Sequence, residues 1–359
     1  MGRSEQVIVN LPIPISMKKV SISDIARKAG VSVSTVSFVM NDKAVKMRIS
    51  REVIEKVENV AREMGYRPNQ LARGLRTGKT KTIGLIVENI SNAFFATLAK
   101  TIEDEAKKYD YKVVYCSTDN DDVKARELIN MLSQRQVDGY IITPTPQLAG
   151  EIQKLQADHK PVVLIDRYFP EDSTIPAVLV DNFEGVSKGT EYLIGKGYRK
   201  IALVTIEADM AHMKDRLAGY YEVLQRHAIP VDGERVKIIP YHTGREDALQ
   251  MITELLEGAG TTIDAVFFLT NYLGVLGIEA IKKKQLRIPE QLAVLCFDDN
   301  DIFRLYTPTI SVIRQPIEMI GKEAMCALIK RLGHSGGAEG FPVAERVQLE
   351  PELIARESI

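Results

Sequence analysis

The sequence predicts a small all-α helix-turn-helix head, followed by a larger α/β core built from two parallel-sheet subdomains. Three observations lead to this fold class: a basic N-terminal region, apolar residues at helical spacing within it, and strand-like runs that alternate with helices afterwards. With 359 residues, 45% of them hydrophobic, the chain is long enough for two or three domains.

The first sixteen residues, 1–16, are predicted to be a disordered extension. Glu5, Asn10, Pro12 and Pro14 interrupt the apolar residues there, so the segment lacks the apolar core of a signal peptide. No later apolar run approaches the roughly 18 residues that a membrane span needs. The three cysteines are widely separated and do not suggest a disulfide framework. We therefore expect a cytoplasmic protein without a membrane partner.

The net charge of −1 conceals two regions of opposite sign. Residues 17–81 contain 15 Lys or Arg against 6 Asp or Glu, whereas residues 82–359 contain 31 basic and 41 acidic side chains. A basic head on an acidic body is typical of a DNA-binding module joined to a module of another kind. The alternative, on charge alone, is a basic face that is simply solvated.

The head, residues 17–65, is predicted to contain three helices, over 22–29, 33–40 and about 50–64. Ser21 and Asp24 have the spacing of a capping box, and Gly30 ends the first helix and permits a sharp turn. Two short helices joined by Gly-Val-Ser have helix-turn-helix geometry, in which the second helix enters the major groove of DNA. A three-helix bundle without a ligand is the alternative.

The outer face of the second helix is the predicted base-contacting surface. Its side chains are small, mostly polar and uncharged, so they can approach base edges while the surrounding basic residues hold phosphates. The predicted major-groove residues are Ser32, Val33, Ser34, Thr35, Ser37 and Phe38.

Residues 66–81 form a predicted hinge between head and core. A helix over 69–76 would have only about eight residues, which is marginal in water. Gly74 within it costs roughly a further 1 kcal/mol relative to Ala. We therefore expect this segment to be disordered alone and to fold on DNA. The alternative is a flexible linker whose arginines serve solubility.

The core, residues 82–359, alternates strand-like and helical patterns. Continuous apolar strands separated by helices are typical of parallel sheets that are covered on both faces. In such folds a ligand lies at the carboxyl ends of the strands, and two units in sequence create a cleft. The strand-like runs are 82–89, 112–118, 139–143, 161–166, 177–182, 200–205, 264–270 and 292–298.

Two segments carry a resemblance to a known family. They are SISDIARKAGVSVSTVSFVMN, from Ser21, and ISREVIEKVENVAREMGYRPNQLARGLRTGKT, from Ile49. Both are similar to the lac repressor/purine repressor (LacI/GalR) family of bacterial regulators, and the resemblance extends from Lys18 to about Ser358. It implies a repressor that binds a near-palindromic DNA operator. No long C-terminal heptad is evident, which favours a homodimer over the alternative, a tetramer. It also implies two periplasmic-binding-protein-like subdomains that close on a small molecule, most often a sugar or a nucleobase.

The same resemblance assigns DNA contacts to particular residues. Many members have Arg where this chain has Phe38, and phenylalanine would touch a thymine methyl or a sugar rather than bond to guanine. The operator sequence therefore does not carry over. In the hinge, Leu75 is implied to wedge between base pairs and bend the duplex. The implied minor-groove residues are Asn69, Ala72, Arg73, Leu75 and Arg76.

The effector site is predicted from polar residues near the ends of the core strands. Carboxylate and guanidinium groups suit vicinal hydroxyls, which favours a sugar. Each residue has a structural alternative, because strand-end Asp and Asn often only cap the next helix. Tyr272, where members often have Asp, either stacks on a sugar or belongs to the core. The candidates are Asp166, Arg167, Arg216, Asn271, Tyr272, Asp298 and Gln315, and the resemblance places Arg216, Asn271, Asp298 and Gln315 at effector-contacting positions.

The two predicted subdomains are discontinuous in sequence, the first about 82–180 and 313–340, the second about 181–312 and 341–359. Two other functional classes are a solute-binding protein, which the basic head disfavours, and an enzyme with a DNA-binding head. The five histidines lack metal-ligand spacing, and neither a Gly-rich phosphate loop nor a nucleophile elbow is present. We therefore predict no catalytic residue, metal or cofactor.

Overall fold

The computed structural model describes residues 20–41, 43–66, 79–171, 174–207, 209–333 and 346–359. The chain divides into two compact units, one within residues 1–78 and the other within residues 79–359. Within the described ranges, no helix is both long enough and apolar enough to cross a membrane.

The head consists of three short helices whose ends follow local sequence signals. Ser21 and Asp24 form the predicted capping box, and Gly30 ends the first helix in the left-handed conformation, with a φ of 64°. The hydroxyl of Ser32 accepts a hydrogen bond from a backbone amide at the start of the second helix. The helices are α1 (Ile22–Ala29), α2 (Val33–Val39) and α3 (Arg51–Glu63).

One apolar side chain from each helix lies at the centre of the head. Ile25, Val36 and Val57 have no exposed surface, and all three belong to one apolar cluster. Burying such a side chain contributes roughly 1.5–3 kcal/mol, so these few residues hold the three helices together. The predicted helix-turn-helix fold is confirmed.

The core contains two six-stranded sheets that share one strand order. The strands are β1 (Thr82–Val87), β2 (Lys112–Ser117), β3 (Gly139–Ile142), β4 (Val162–Ile165), β5 (Ala177–Val180), β6 (Ile201–Ile206), β7 (Val236–Ile239), β8 (Ala265–Phe268), β9 (Ala293–Phe297), β10 (Ser311–Arg314), β11 (Arg346–Leu349) and β12 (Glu352–Ile354). The first sheet runs β11-β5-β4-β3-β1-β2 and the second runs β12-β10-β9-β8-β6-β7. All pairs are parallel except β10 with β12, so the predicted parallel sheets are confirmed.

Helices cover both faces of each sheet. Strands β3 and β4 are buried along their whole length, which is why they read as continuous apolar runs. Short 3-10 turns occupy Gly233–Arg235 and Leu256–Gly258. The core helices are α4 (Ala93–Lys107), α5 (Asp122–Gln134), α6 (Ala149–Ala157), α7 (Asn182–Gly195), α8 (Ala211–Arg226), α9 (Arg245–Leu255), α10 (Asn271–Lys283), α11 (Asp301–Leu305) and α12 (Ile317–Arg331).

Each of the eight strand-like runs contains a strand. Four strands lie outside those runs. Three of them, β7, β11 and β12, lie at sheet edges and are only partly buried, whereas the four-residue strand β10 lies inside the second sheet. An edge strand needs no continuous apolar run, so its sequence carries a weaker signal.

The chain crosses between the subdomains after β5, after β10 and between β11 and β12. The predicted boundary at residue 341 is wrong, because Val347 of β11 pairs with Val178 in the first sheet. The predicted boundary at 313 cuts through β10, which lies wholly in the second sheet. Both errors concern short strands whose neighbours are set by pairing with distant segments rather than by local pattern.

Candidate DNA interface and ligand cleft

Helix α2 presents much of its predicted base-contacting face to solvent. Val33 is 49% exposed, Ser34 is exposed, and Ser37 and Phe38 are half-buried. The opposite face, which includes Val36, is buried in the head. The accessible face is uncharged, so nothing on it would repel a base edge. The individual base contacts stay a prediction.

The hydroxyls of two predicted DNA-contacting residues bond to each other. Ser32 Oγ lies 2.8 Å from Thr35 Oγ1 and accepts a hydrogen bond from the Thr35 amide at 3.0 Å. These bonds fix the start of α2, where the positive end of the helix dipole would face a phosphate.

A compact basic loop, residues 43–48, follows α2. Lys43, Lys46 and Arg48 are exposed, whereas Ala44 is buried and Ile49 is partly buried in the head core. A backbone hydrogen bond of 3.0 Å from Ile49 N to Ala44 O closes the loop. None of the three cations takes part in the ion pairs found within the described head. The loop therefore presents three exposed cations on a hydrogen-bonded backbone.

The predicted hinge contacts lie outside the described residues, as does the predicted N-terminal extension, 1–16. The hinge residues are Asn69, Ala72, Arg73, Leu75 and Arg76, all within residues 67–78.

Two aspartates occupy matching positions in the two core sheets. Asp166 follows β4 and Asp298 follows β9, each the fourth strand from the β2 or β7 edge. Both have left-handed backbone conformations, with φ of 66° and 71°. A non-glycine residue in this region costs of order 1–3 kcal/mol, and such strain is concentrated at functional sites. Each subdomain thus places one aspartate in this backbone conformation at the carboxyl edge of its sheet.

Arg216 of α8 is held rigidly beside these aspartates. Its Nε donates to Asn182 Oδ1 at 2.8 Å, and its Nη1 donates to the carbonyl oxygen of Leu269 at 2.6 Å. The guanidinium lies 3.7 Å from the centre of the Phe297 ring. Only 3% of the residue is exposed. Its charge is thus fixed in position and shielded from solvent.

A hydrogen-bonded chain runs from the first subdomain to the second. Arg167 pairs with Glu88, which follows β1, and donates to Asn120 Oδ1 at 2.7 Å. The hydroxyl of Tyr241, in the second subdomain, donates to Glu88 Oε1 at 2.9 Å. Glu88 therefore links the two subdomains directly.

The remaining predicted effector residues have different surroundings. Asn271 Nδ2 donates to Asn92 Oδ1 at 3.1 Å, which makes a second link between the subdomains. Gln315 Nε2 donates to Asp298 Oδ1 at 2.6 Å. Tyr272 is 45% exposed and therefore does not belong to the core.

The helices next to these residues are capped by other side chains. Thr270 caps α10, directly before Asn271, and Asn300 caps α11, two residues after Asp298. Helix capping is therefore not the role of Asn271 or Asp298. We call Asp166, Arg167, Arg216, Asp298 and Gln315 the buried polar cluster.

Burial changes the titration of this cluster. It raises the pKa of Asp166 to about 7, an effect that nearby Arg216 opposes and Asp298 strengthens. It raises the pKa of Asp298 and lowers that of Arg167 to about 10. Burial, with two neighbouring arginines, also holds the pKa of His212 well below its ordinary value. Hydrogen bonds made in such a dry environment are strong.

Five further polar residues belong to the cleft but were not predicted from the sequence. Glu88 directly follows the observed strand β1, but the predicted run of 82–89 placed it inside the strand, so the strand-end rule did not select it. Asn92 and Asn120 lie in loops of the same subdomain, and His212 and Tyr241 come from α8 and the loop after edge strand β7. Those four have no local signal, because their place in the cleft depends on how distant segments meet.

Comparisons with known proteins agree with both parts of the fold. Residues 21–69 match the family model "Bacterial regulatory proteins, lacI family", and residues 190–359 match "Periplasmic binding protein-like domain". The chain is 34% identical over 343 residues to the HTH-type transcriptional regulator RegA of Clostridium saccharobutylicum, covering 94% of this chain and 98% of that one. It is 32% identical over 339 residues to the ribose operon repressor of Halalkalibacterium halodurans, covering 94% and 96%. The structure of the lac repressor dimer bound to operator and the anti-inducer ONPF is similar in fold, with a TM-score of 0.79 at 22% identity, covering 95% and 99%.

Proposed function

Because the chain belongs to the lacI family of bacterial regulatory proteins, we propose that it represses transcription under the control of a sugar. The repressor would bind a near-palindromic operator as a homodimer, and the sugar would bind between the two core subdomains. The relatives that it matches over nearly their whole length are transcription regulators rather than enzymes. As a regulator it acts on the chromosome, in the cytoplasm.

The observation that carries the effector proposal is the buried polar cluster at the strand ends. Its carboxylates, Asp166 and Asp298, and the neighbouring Glu88 accompany two guanidinium groups, Arg167 and Arg216. The arginines are therefore already balanced by negative charge, which suits a neutral ligand better than an anion. A sugar offers hydroxyls that both donate to carboxylates and accept from guanidinium groups. The ribose operon repressor among the relatives supports this ligand class.

Binding to the DNA upstream of the chain's own gene tests the first half of the proposal. The intact protein should prefer a near-palindromic site, and its affinity should fall about 10³- to 10⁵-fold between 50 and 200 mM salt if six to ten phosphates are contacted. A flat salt dependence, or a preference of the dimer for an asymmetric site, would contradict operator binding of this kind.

A thermal-shift screen of sugars tests the second half. A sugar present at about 100 times its dissociation constant adds about 2.7 kcal/mol to the free energy of unfolding. The same sugar should then change the affinity for the upstream DNA. If no sugar stabilises the protein, or a stabilising sugar leaves DNA affinity unchanged, the effector assignment is wrong.

A further inference from the structure

The first residues of the core are held by one buried carboxylate. Asp138, which directly precedes β3, is 8% exposed. Its Oδ1 accepts a hydrogen bond from the Thr80 amide at 2.7 Å, and its Oδ2 accepts one from the Lys81 amide at 3.0 Å. The hydroxyl of Thr80 lies 2.9 Å from the same Oδ1. We call Thr80, Lys81 and Asp138 the hinge anchor, because the predicted hinge, 66–81, ends there.

Lys81 is fixed by both its backbone and its side chain. Its φ of 55° lies in the left-handed region, which a residue with a side chain rarely adopts unless its surroundings hold it there. Its carbonyl oxygen accepts from the Lys112 amide at 2.9 Å, and its Nζ donates to the carbonyl oxygen of Tyr109 at 3.1 Å. The ammonium group also lies 4.4 Å from the centre of the Tyr111 ring. These contacts set the direction in which the chain leaves the core towards the hinge.

The second sheet contains a matching carboxylate. Asp264 directly precedes β8 and accepts hydrogen bonds of 2.9 Å from the amides of Arg199 and Lys200, just before β6. Strands β6 and β8 are neighbours, as β1 and β3 are in the first sheet. The two carboxylates differ in what precedes the segment that they hold. Arg199 follows helix α7 of the same subdomain, whereas Thr80 follows the hinge. This difference places Asp138, rather than Asp264, in a position to affect DNA binding.

We propose that Asp138 is a positioning residue for operator binding. It holds the exit of the hinge in one direction, and in the homodimer this restricts the separation of the two DNA-binding heads. A dimer whose heads are held at one separation selects half-sites at one spacing. A looser exit adds conformations that must be lost again when both heads bind. This inference rests on the proposed operator binding and adds a role in spacing selection for a buried residue of the core.

Gel shift on the full chain tests the spacing requirement. The probes are the upstream operator, two derivatives with two base pairs added or removed at its centre, and a random-sequence duplex of the same length. Two base pairs rotate one half-site by about 70° relative to the other. The parent should therefore bind the unaltered operator at least about tenfold more tightly than either derivative.

Asp138→Asn places an amide nitrogen, which cannot accept a hydrogen bond, where one carboxylate oxygen held a backbone amide. The variant should bind the operator roughly tenfold more weakly, because one or two freed residues must be ordered again. Its affinity for the two derivatives and the random duplex should change by less than about twofold, since phosphate contacts remain. The spacing preference should therefore shrink. Thr80→Val removes only the hydroxyl and should weaken operator binding about threefold, whereas Thr80→Ser keeps it and should bind as the parent does.

Asp264→Asn is the matched control, because it removes the same kind of hydrogen bond from the second sheet. Thermal melting measures the loss of stability in both Asp variants, and the gel shifts are run well below the lower Tm. Asp264→Asn should keep the parent's operator affinity and spacing preference.

Parental operator binding and spacing preference in Asp138→Asn, or an equal loss in both Asp variants, overturns the positioning role while operator binding stands. If Asp138→Asn does not fold, parental behaviour of Thr80→Val overturns it instead. A parent that binds the upstream DNA no better than the random duplex contradicts the proposed function, and the positioning role with it.

Discussion

The head and the cleft use positive charge in opposite ways. Lys43, Lys46 and Arg48 of the basic loop are exposed, whereas Arg167 and Arg216 of the cleft are 6% and 3% exposed. Exposed cations contribute little to folding, but they release counterions when they meet DNA. Buried cations must be paired, and their partners hold them in one geometry. DNA affinity should therefore depend on salt, and effector affinity on the exact placement of a few side chains.

Removing a charge from the cleft should have the largest effect. Asp298→Ala removes the hydrogen-bond acceptor of Gln315 and one of the two carboxylates near Arg216, and Arg216→Ala removes a positive charge that both aspartates face. Each change should weaken effector binding by about 2–5 kcal/mol while operator binding stays measurable. Calorimetry and gel shift measure the two affinities, and the exposed Asp301→Ala is a matched control. If ligand titrations are unchanged in both cleft variants, Arg216 and Asp298 do not bind the effector and have a structural role only.

A substitution at Leu75 in the hinge tests whether an apolar contact with DNA adds to the electrostatic binding of the head. If Leu75 wedges between base pairs, Leu75→Ala should weaken specific operator binding by about a hundredfold. The variant loses the contacts that offset an unstacking cost of a few kcal/mol per step. Non-specific binding should change little, because phosphate contacts remain. Effector binding should be unaffected. A bending assay on permuted operator fragments measures the bend angle. If the variant bends DNA as much as the parent does, the hinge is only a flexible tether.

Neutralising the basic loop tests whether its exposed cations contribute to DNA affinity. Lys43→Ala, Lys46→Ala and Arg48→Ala together should lower the slope of log affinity against log salt by about 0.9 for each phosphate that the loop no longer neutralises. Affinity should fall by a similar factor on specific and non-specific DNA. Lys28→Ala is the control, because its ammonium group already pairs with Glu63 at 2.9 Å. A slope equal to the parent's would mean that the loop does not touch DNA.

The smallest effect concerns the pH dependence of stability. The pKa of Asp166 is about 7 in the folded protein, against an ordinary value of 3.8. Between those values the folded state binds more protons than the unfolded state, so the stability contributed by this group is lost as pH rises from about 4 to 7. Asp166→Asn stays neutral and should gain a few degrees in Tm relative to the parent over that window. Parallel Tm curves for parent and variant from pH 4 to 8 would show that Asp166 titrates normally.

The ends of the head helices were determined by the sequence itself. Ser21, Asp24, Gly30 and Ser32 act on backbone groups within a few positions, so a cap can be identified from consecutive residues. The positions of Asp166 and Asp298 at strand ends were predictable for a related reason: buried parallel strands are continuous apolar runs, and their carboxyl ends share one edge.

Only the tertiary structure decided which distant segments meet. Glu88 pairs with Arg167 across 79 positions and with Tyr241 across 153. Strand β11 joins the first sheet although it follows the expected boundary. Within the described chain, His212 Nδ1 is buried without a hydrogen-bond partner, and Arg167 of the first subdomain helps to lower the pKa of this histidine. Pairing and burial of this kind depend on the folded path of the whole chain, and the periodicity within one segment carries no information about the segment that will lie beside it.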